Sequence, residues 1–328
     1  MRVLVAGGAG FIGSHYVRSL LTGGYPAYAG AHVTVLDKLT YAGNRANLEQ
    51  VAGHPRYAFV EGDICDRARL AELVPGHDVI VNFAAETHVD RSILGASDFV
   101  HTNVLGTQVL LQVAADAGVP RFVQVSTDEV YGSIAEGAWT EEHLLEPNSP
   151  YSAAKAAGDL LARAYARTFG LDVCVTRCSN NYGPYQFPEK VIPLFVTNLL
   201  DGAKVPLYGD GRNVRDWLHV DDHCRGVQVV LEQGLPGEIY NIGGGAELAN
   251  RELTGLLLEA CGATWDSVEW VEDRKGHDRR YAIDDTKIRK LGYQPAVPFE
   301  AGLAATVRWY RDNRSWWEPL KQRARATR

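Results

Sequence analysis

Short apolar runs recur along the first half of the chain, and between them apolar residues fall at helical spacing. RVLVA (Arg2 to Ala6), HVTVL (His32 to Leu36), YAFVE (Tyr57 to Glu61), DVIVNF (Asp78 to Phe83), RFVQV (Arg121 to Val125) and LDVCVTR (Leu171 to Arg177) are rich in Val and Phe, the pattern of buried strands. The two longest helical segments are Asp98 to Ala117 and Pro150 to Phe169, either of which can serve as core helix or subunit interface. Strands that alternate with helices predict an α/β fold, a doubly wound parallel sheet with helices on both faces, because parallel neighbours need crossover connections. After Asn180 the pattern loosens into short elements and polar, aromatic loops such as LYGDGRNVRDW (Leu207 to Trp217) and VEDRKGHDRR (Val271 to Arg280). Residues 1–180 are therefore expected as one domain and 181–328 mainly as a smaller lobe, with some segments free to return to the first.

One strand ends oddly. RFVQV runs into STDEVYG (Ser126 to Gly132), two adjacent acids at the exit of a core strand. Neighbouring strand residues point to opposite faces, so both carboxyls can serve one site only if the chain has already left the sheet.

The first strand leads into AGGAGFIGS, with Gly7, Gly10 and Gly13 in G-x-x-G-x-x-G spacing at strand exit and helix entry. Glycines there let the backbone turn and approach a pyrophosphate while helix amides face the anion, which points to a Rossmann-type dinucleotide site. The second strand ends at Asp37, where a carboxylate can bind ribose hydroxyls and repel a 2′-phosphate, favouring NAD over NADP; Lys38 beside it weighs the other way. Asp63 can hold the adenine amino group or cap a helix. Tyr151 and Lys155, in YSAAK, share one helix face after Pro150. A nearby cation favours a phenolate, making a base for a hydroxyl proton while hydride leaves for nicotinamide.

Composition narrows the partners. The chain has 328 residues, 46% hydrophobic and 22% charged, with net charge -7, enough for a sizeable core and no basic stripe for nucleic acid. Its C-terminal Lys321, Arg323, Arg325 and Arg328 are expected as a solvated end. No apolar stretch approaches the roughly 18 residues of a membrane span, and MRVLVAGG lacks a signal-peptide layout, so a cytoplasmic location is expected. Five cysteines without C-x-x-C are read as free buried thiols; Cys174 and Cys178, roughly 13 Å apart at about 3.3 Å per strand residue, are too distant for a disulfide. His219, Asp221, Asp222 and His223 in LHVDDHC are read as an Asp-led helix start, with no metal expected.

Through these residues the chain resembles the extended short-chain dehydrogenase/reductase superfamily over essentially its whole length. GGAGFIG and YSAAK carry that likeness. FAAETHVDRS (Phe83 to Ser92), STDEVYG and NNYGPYQFPEK (Asn180 to Lys190) resemble its nucleotide-sugar 4,6-dehydratases, whereas the related 4-epimerases lack the Asp-Glu pair. The resemblance implies hydride loss from carbon 4 of the sugar, removal of the carbon 5 proton, departure of the carbon 6 hydroxyl as water, and hydride return to carbon 6. It makes Asp128 the acid at carbon 6 and Glu129 the base at carbon 5, with Thr127 beside Tyr151 at the carbon 4 oxygen. A close carboxyl pair can divide such roles when repulsion and burial separate the two pKa values.

The same resemblance puts Phe11, Ile12, Thr40, Ile64, Phe83, Ala84, Ala85, Thr102 and Asn181 around NAD. Thr87, Asn180, Glu189, Lys190, Arg215, Asn250, Arg274, His277 and Tyr281 become the candidates for the nucleotide sugar, cations suiting a diphosphate best. Glu86, His88, Asp90 and Arg91 are read as holding their loop. A homodimer through the two long helices is implied as well. Thymine and uracil bases both stay open, as do a 4-epimerase and a silent NAD-binding regulator, although a regulator has no use for a poised tyrosine and an acid-base pair.

Overall fold

The computed structural model describes residues 1–326. Its strands in chain order are β1 (Arg2–Ala6), β2 (His32–Asp37), β3 (Tyr57–Glu61), β4 (Val79–Asn82), β5 (Arg121–Thr127), β6 (Val173–Cys178), β7 (Asn180–Tyr182), β8 (Val205–Tyr208), β9 (Val214–His219), β10 (Ile239–Ile242), β11 (Glu247–Ala249) and β12 (Val268–Val271). Seven form one sheet in the order β10-β6-β5-β4-β1-β2-β3, every pairing parallel. In β1 and β4, both central, the burial run is nearly unbroken, as expected where helices cover both faces, while the edge strand β3 is mostly part-exposed. The order turns back beside β1: β2 and β3 lie on one side and β4 begins the other, so a crevice opens at the carboxyl ends of β1 and β4.

Strand β5 runs two residues past the predicted Val125, to Thr127, and only then does the chain leave the sheet in a 3-10 turn, Asp128–Tyr131. That turn is what lets consecutive acids address one place. The helix Pro150–Phe169 matches its predicted span: Ser149 caps it by accepting the Ser152 amide, Pro150 opens it, and left-handed Gly170 closes it. It is fastened to the sheet by a wholly buried ion pair, Asp159 Oδ2 to Arg177 Nε on β6 at 2.9 Å. Losing one member would strand the other's charge in the core, at a cost of about 3–5 kcal/mol.

The other long helix is not continuous. Ser97–Phe99 and Thr107–Asp116 are α-helical, but Val100–Gly106 between them is a π-helix, a distortion often found at functional sites. Asn103 in this stretch donates to the Glu86 carbonyl and accepts the Glu86 amide, both at 2.9 Å. The π segment thus holds the loop that follows β4.

Beyond residue 180, β11-β9-β7 and β12-β8 form two small sheets over a core that includes Phe195, Trp217, Leu257, Tyr310 and Trp317. The helix Val220–Gln233 and β10 return to the large sheet, where the helix packs against β5 and β6 and Val227 and Val230 join the core shared with β1. His219 is the N-cap of that helix and its Nδ1 accepts the Asp221 amide; His223 is wholly buried. Asp222 accepts the Ala296 and Val297 amides at 2.9 and 3.0 Å, so LHVDDHC does structural work.

Two expectations need correction. Lys321 is not in a solvated end: it is 5% exposed and its ammonium lies 2.7 Å from Asp201, because the helix Arg314–Ala326 folds back on the small lobe. The Arg325 side chain and residue 328 lie outside what is described. The five cysteines are all unpaired, but Cys65 and Cys261 are part-exposed rather than buried.

Candidate active site

The crevice deepens into a cleft of about 270 Å³ that runs from the glycine turn past the ends of β5 and β6. All the cofactor candidates named from the sequence line it, as do Thr127, Asp128, Glu129, Thr87, Asn180 and Lys190. The glycine turn that lines it is packed against backbone. Gly7 has φ +73, and a Cβ on it would sit 2.5 Å from the Ala84 amide nitrogen; a Cβ on Gly13 would meet the Gly7 carbonyl oxygen at 2.3 Å. Gly10 caps the helix Phe11–Leu21 without a side chain, leaving the helix amides to a ligand. This cradle fits a dinucleotide pyrophosphate. Gly13→Ala is expected to weaken dinucleotide binding about tenfold to a hundredfold, the effect of about 1–3 kcal/mol of forced misfit, measured as bound nucleotide remaining after gel filtration.

Asp37 is almost buried, and its carboxylate accepts the amides of Ala9 and Leu39 at 2.8 Å each. It therefore braces the glycine turn while facing the cleft, and burial raises its pKa. Lys38 does not offset its charge there: the ammonium is held by Asp63 at 2.6 Å. That pairing removes the objection to a 2′-hydroxyl site. Asp63 accepts the Cys65 amide at 2.9 Å, and the helix cap is Asp66 instead. Asp63, Cys65 and His101 bring metal-type ligand atoms within 4.8 Å of one another, but with Asp63 paired to Lys38 the group already has its cation.

The reacting end is built by β5, its 3-10 turn and the helix Pro150–Phe169. Thr127 Oγ1 donates to Asp128 Oδ1 at 3.2 Å and accepts the Glu129 amide at 3.3 Å, and it lines the cleft together with Tyr151. Ser152 Oγ lies 3.4 Å from Glu129 Oε2 and 2.6 Å from Ser149 Oγ, tying the acid turn to the helix start. Asp128 is 2% exposed, and its Oδ2 has no hydrogen-bond partner. Burial, then the neighbouring Glu129 and Asp216 charges, push its pKa well above the ordinary aspartate value, which favours the protonated form. Glu129 is part-exposed to the cleft. The two acids thus occupy different environments, the condition for dividing acid and base roles.

The raised pKa of Asp128 sets a pH dependence. Below the ordinary aspartate value of 3.8 the carboxyl is protonated folded or unfolded and costs nothing. Above it the unfolded chain ionises while the folded chain resists, so stability falls as pH climbs toward the raised value. Asp128→Asn removes that cost: the variant is expected to melt above the parent at neutral pH yet lose elimination, checked by thermal melts at pH 4 and pH 7 beside an activity assay.

Lys155 is buried and donates to the Val125 carbonyl at 2.6 Å, anchoring the helix to β5. Its ammonium is pushed down by burial and supported by Asp159. The expectation that this cation alone favours a Tyr151 phenolate does not hold in the chain's own field. Burial and the Glu129 charge raise the tyrosine well above 10, against the Thr127 hydrogen bond.

Of the smaller-lobe candidates, Lys190 and Asn180 line the cleft; Glu189, Arg215, Asn250, Arg274, His277 and Tyr281 do not. Arg215, on β9, stacks on Tyr281 at 4.2 Å and donates to the Asp278 carbonyl. Arg215, Lys190 and Tyr281 all feel the Glu129 charge, so they border the reacting end. The Glu189 carboxylate is 3% exposed and paired with Arg91 Nε at 2.9 Å. His277 is bound to Asp273 at 2.6 Å, and the Asn250 carbonyl accepts Thr254 inside its helix. Arg274 lies 3.7 Å from Asp90.

Glu86, read from the sequence only as holding its loop, also lines the cleft, as do Ser179, Gln186 and Phe187, which were not among the candidates. The last two sit in the NNYGPYQFPEK segment that carried the resemblance, a usable signal.

The family profile described as GDP-mannose 4,6 dehydratase matches residues 4–306, and the chain belongs to that family. Within it the chain is 62% identical over 328 residues to the dTDP-glucose 4,6-dehydratase of Streptomyces niveus, covering 100% of this chain and 98% of that protein. It is 65% identical over 319 residues to the dTDP-glucose 4,6-dehydratase of Streptomyces griseus, covering 97% of this chain and 96% of the other. Among solved structures, DesIV, the dTDP-glucose 4,6-dehydratase of Streptomyces venezuelae with NAD and TYD bound, superposes with a TM-score of 0.97 at 68% identity, covering 98% of this chain and 100% of that one.

Proposed function

We propose that this chain catalyses the NAD-dependent 4,6-dehydration of dTDP-glucose to dTDP-4-keto-6-deoxyglucose. The observation that carries the reading is the buried Asp128, its Oδ2 without a partner, next to the part-exposed Glu129, both lining one cleft with Tyr151. NAD bound at the glycine turn supplies a reversible hydride store, so the net change is redox-neutral. Tyr151 takes the proton of the carbon 4 hydroxyl, with Thr127 on the same oxygen. The resulting ketone acidifies carbon 5, whose proton Glu129 accepts; Asp128 gives its proton to the carbon 6 hydroxyl, which leaves as water. With the hydride returned from bound NAD to carbon 6, Glu129 hands a solvent-exchanged proton back to carbon 5, so the sugar loses one water overall.

Two features support the order of these steps. A Tyr151 held protonated by its surroundings needs a positive charge to release its proton, and an oxidised nicotinamide brings one. An Asp128 kept neutral donates without first having to be charged. Lys190 and Arg215, near Glu129, suit the diphosphate; thymine follows from the relatives' substrate.

The test is incubation with dTDP-glucose and mass spectrometry of the sugar nucleotide. Loss of one water supports the reading; an unchanged mass overturns it, and water loss from GDP-mannose alone would reassign the substrate.

The reading includes a cytoplasmic homodimer. None of the described helices is long and apolar enough to cross a membrane, and the cysteines are all free, which suits a reducing compartment. Val100, Leu105 and Leu160, on the two long helical segments, are 53%, 45% and 55% exposed, an apolar surface suited to a second copy. Sedimentation is expected to give twice the chain mass, and Leu160→Glu to shift it toward monomer.

A further inference from the structure

The helix Arg314–Ala326 has no part in the reaction just described, yet it touches both walls of the cleft. Its root is in the smaller lobe. Trp317 is 1% exposed and its indole N–H donates to the Tyr310 carbonyl at 2.7 Å; Arg314 and Lys321 both pair with Asp201, at 2.6 and 2.7 Å. From that root it reaches the cofactor lobe. Trp316 Nε1 donates to Asn47 Oδ1 at 3.0 Å, and Asn47, 2% exposed, donates to the carbonyl of Ala9 at 2.9 Å, inside the glycine turn. The Ala9 amide in turn is held by Asp37. Lower on the same helix, Leu320 and Ala324 pack with Tyr41, Ala42 and Phe187, of which Ala42 and Phe187 line the cleft.

The two loops gripped here are unusual. Among the described residues, Leu39 (φ 54) and Tyr185 (φ 69) are the non-glycine positions with left-handed backbone, and they lie in these two loops. The Tyr185 ring is packed between the Arg18 guanidinium, 4.4 Å away, and the rings of Trp309 and Trp316 at 4.5 and 5.5 Å. Backbone of this kind persists only where its surroundings over-determine it.

We infer that the helix Arg314–Ala326 is a strap that keeps the glycine turn and the two strained loops in their dinucleotide-holding shape, with Trp316 and Asn47 as positioning residues for the cofactor. The inference rests on the reading that NAD occupies the cleft. Neither residue lines the cleft, so their effect is on retention of the dinucleotide rather than on the chemistry.

The experiment follows release of bound NAD from the holoenzyme after dilution, beside kcat and the KM for NAD. Trp316→Phe, which keeps a ring and removes the N–H, is expected to speed release about fivefold, the worth of one hydrogen bond, and to raise the KM for NAD while kcat at saturating NAD stays unchanged. Asn47→Ala is expected to speed release further, and the double variant no further than Asn47→Ala alone, since the two act in series. Unchanged release in Trp316→Phe overturns the inference, as does full additivity of the pair. If Asn47→Ala does not fold, Trp316→Phe with its split between KM and kcat decides alone. A parent protein that never holds NAD removes the cofactor reading and this inference together, whereas a parent that holds it and variants that hold it equally well remove this inference only.

Discussion

Glu129→Gln protein mixed with dTDP-glucose is expected to reduce its bound cofactor and stop there. Glutamine keeps the shape of glutamate and the reach to Ser152 Oγ at 3.4 Å, so the sugar still binds and carbon 4 is still oxidised. An amide cannot accept the carbon 5 proton, and elimination should fall about a hundredfold to ten-thousandfold, the usual worth of a positioned base. The signature is a lasting absorbance of reduced nicotinamide without release of dehydrated sugar. The substitution also removes the largest neighbouring charge acting on both Asp128 and Tyr151. The pKa values of both groups should fall, and the pH profile of the oxidation step should move to lower pH. Dehydration at the parent rate would take the base role from Glu129.

Tyr151→Phe is expected to fail one step earlier. Without the phenol nothing takes the carbon 4 hydroxyl proton, so reduced cofactor should form about a hundredfold to ten-thousandfold more slowly while dTDP-glucose still binds. The pH behaviour separates the two groups. Because Tyr151 must lose a proton from a raised pKa, oxidation in the parent should accelerate as pH rises; because Asp128 must keep one, elimination should decline as pH rises past its own raised value. Together they give the parent a bell-shaped profile. In Tyr151→Phe the rising limb should vanish, and an unchanged rate of cofactor reduction would count against the tyrosine.

Much of this was legible in the sequence because local rules govern it. Gly7, Gly10 and Gly13 at a strand exit have backbone reasons to be glycine, and Pro150 and Gly170 punctuate the helix that carries Tyr151 and Lys155. The Asp128-Glu129 pair was legible as an anomaly, two acids where a buried strand should simply turn. The resemblance supplied their roles, and the 3-10 turn supplies the geometry.

What was missed depends on contacts distant in the chain. No periodicity separates the π-helical Val100–Gly106 from ordinary helix, since the apolar positions are the same; its purpose appears only when Asn103 meets Glu86. Glu189 stands in the sequence as a substrate candidate, and nothing there shows that Arg91 pairs with its carboxylate. Lys321 reads as part of a solvated end, and only folding brings Asp201 to it and Asn47 to the nearby Trp316. The poise of Tyr151 was misjudged for a related reason: the spacing to Lys155 shows a cation nearby but not how deeply both groups are buried.

Running the reaction of dTDP-glucose in deuterated water and locating the label in the product reaches the centre of the account. An acid and a base working on adjacent carbons, with the hydride returned internally, predict a product lighter by one water that carries solvent deuterium at carbon 5 and none in the hydride position at carbon 6. Solvent deuterium delivered as that carbon 6 hydrogen, or a product that keeps its water, would contradict it.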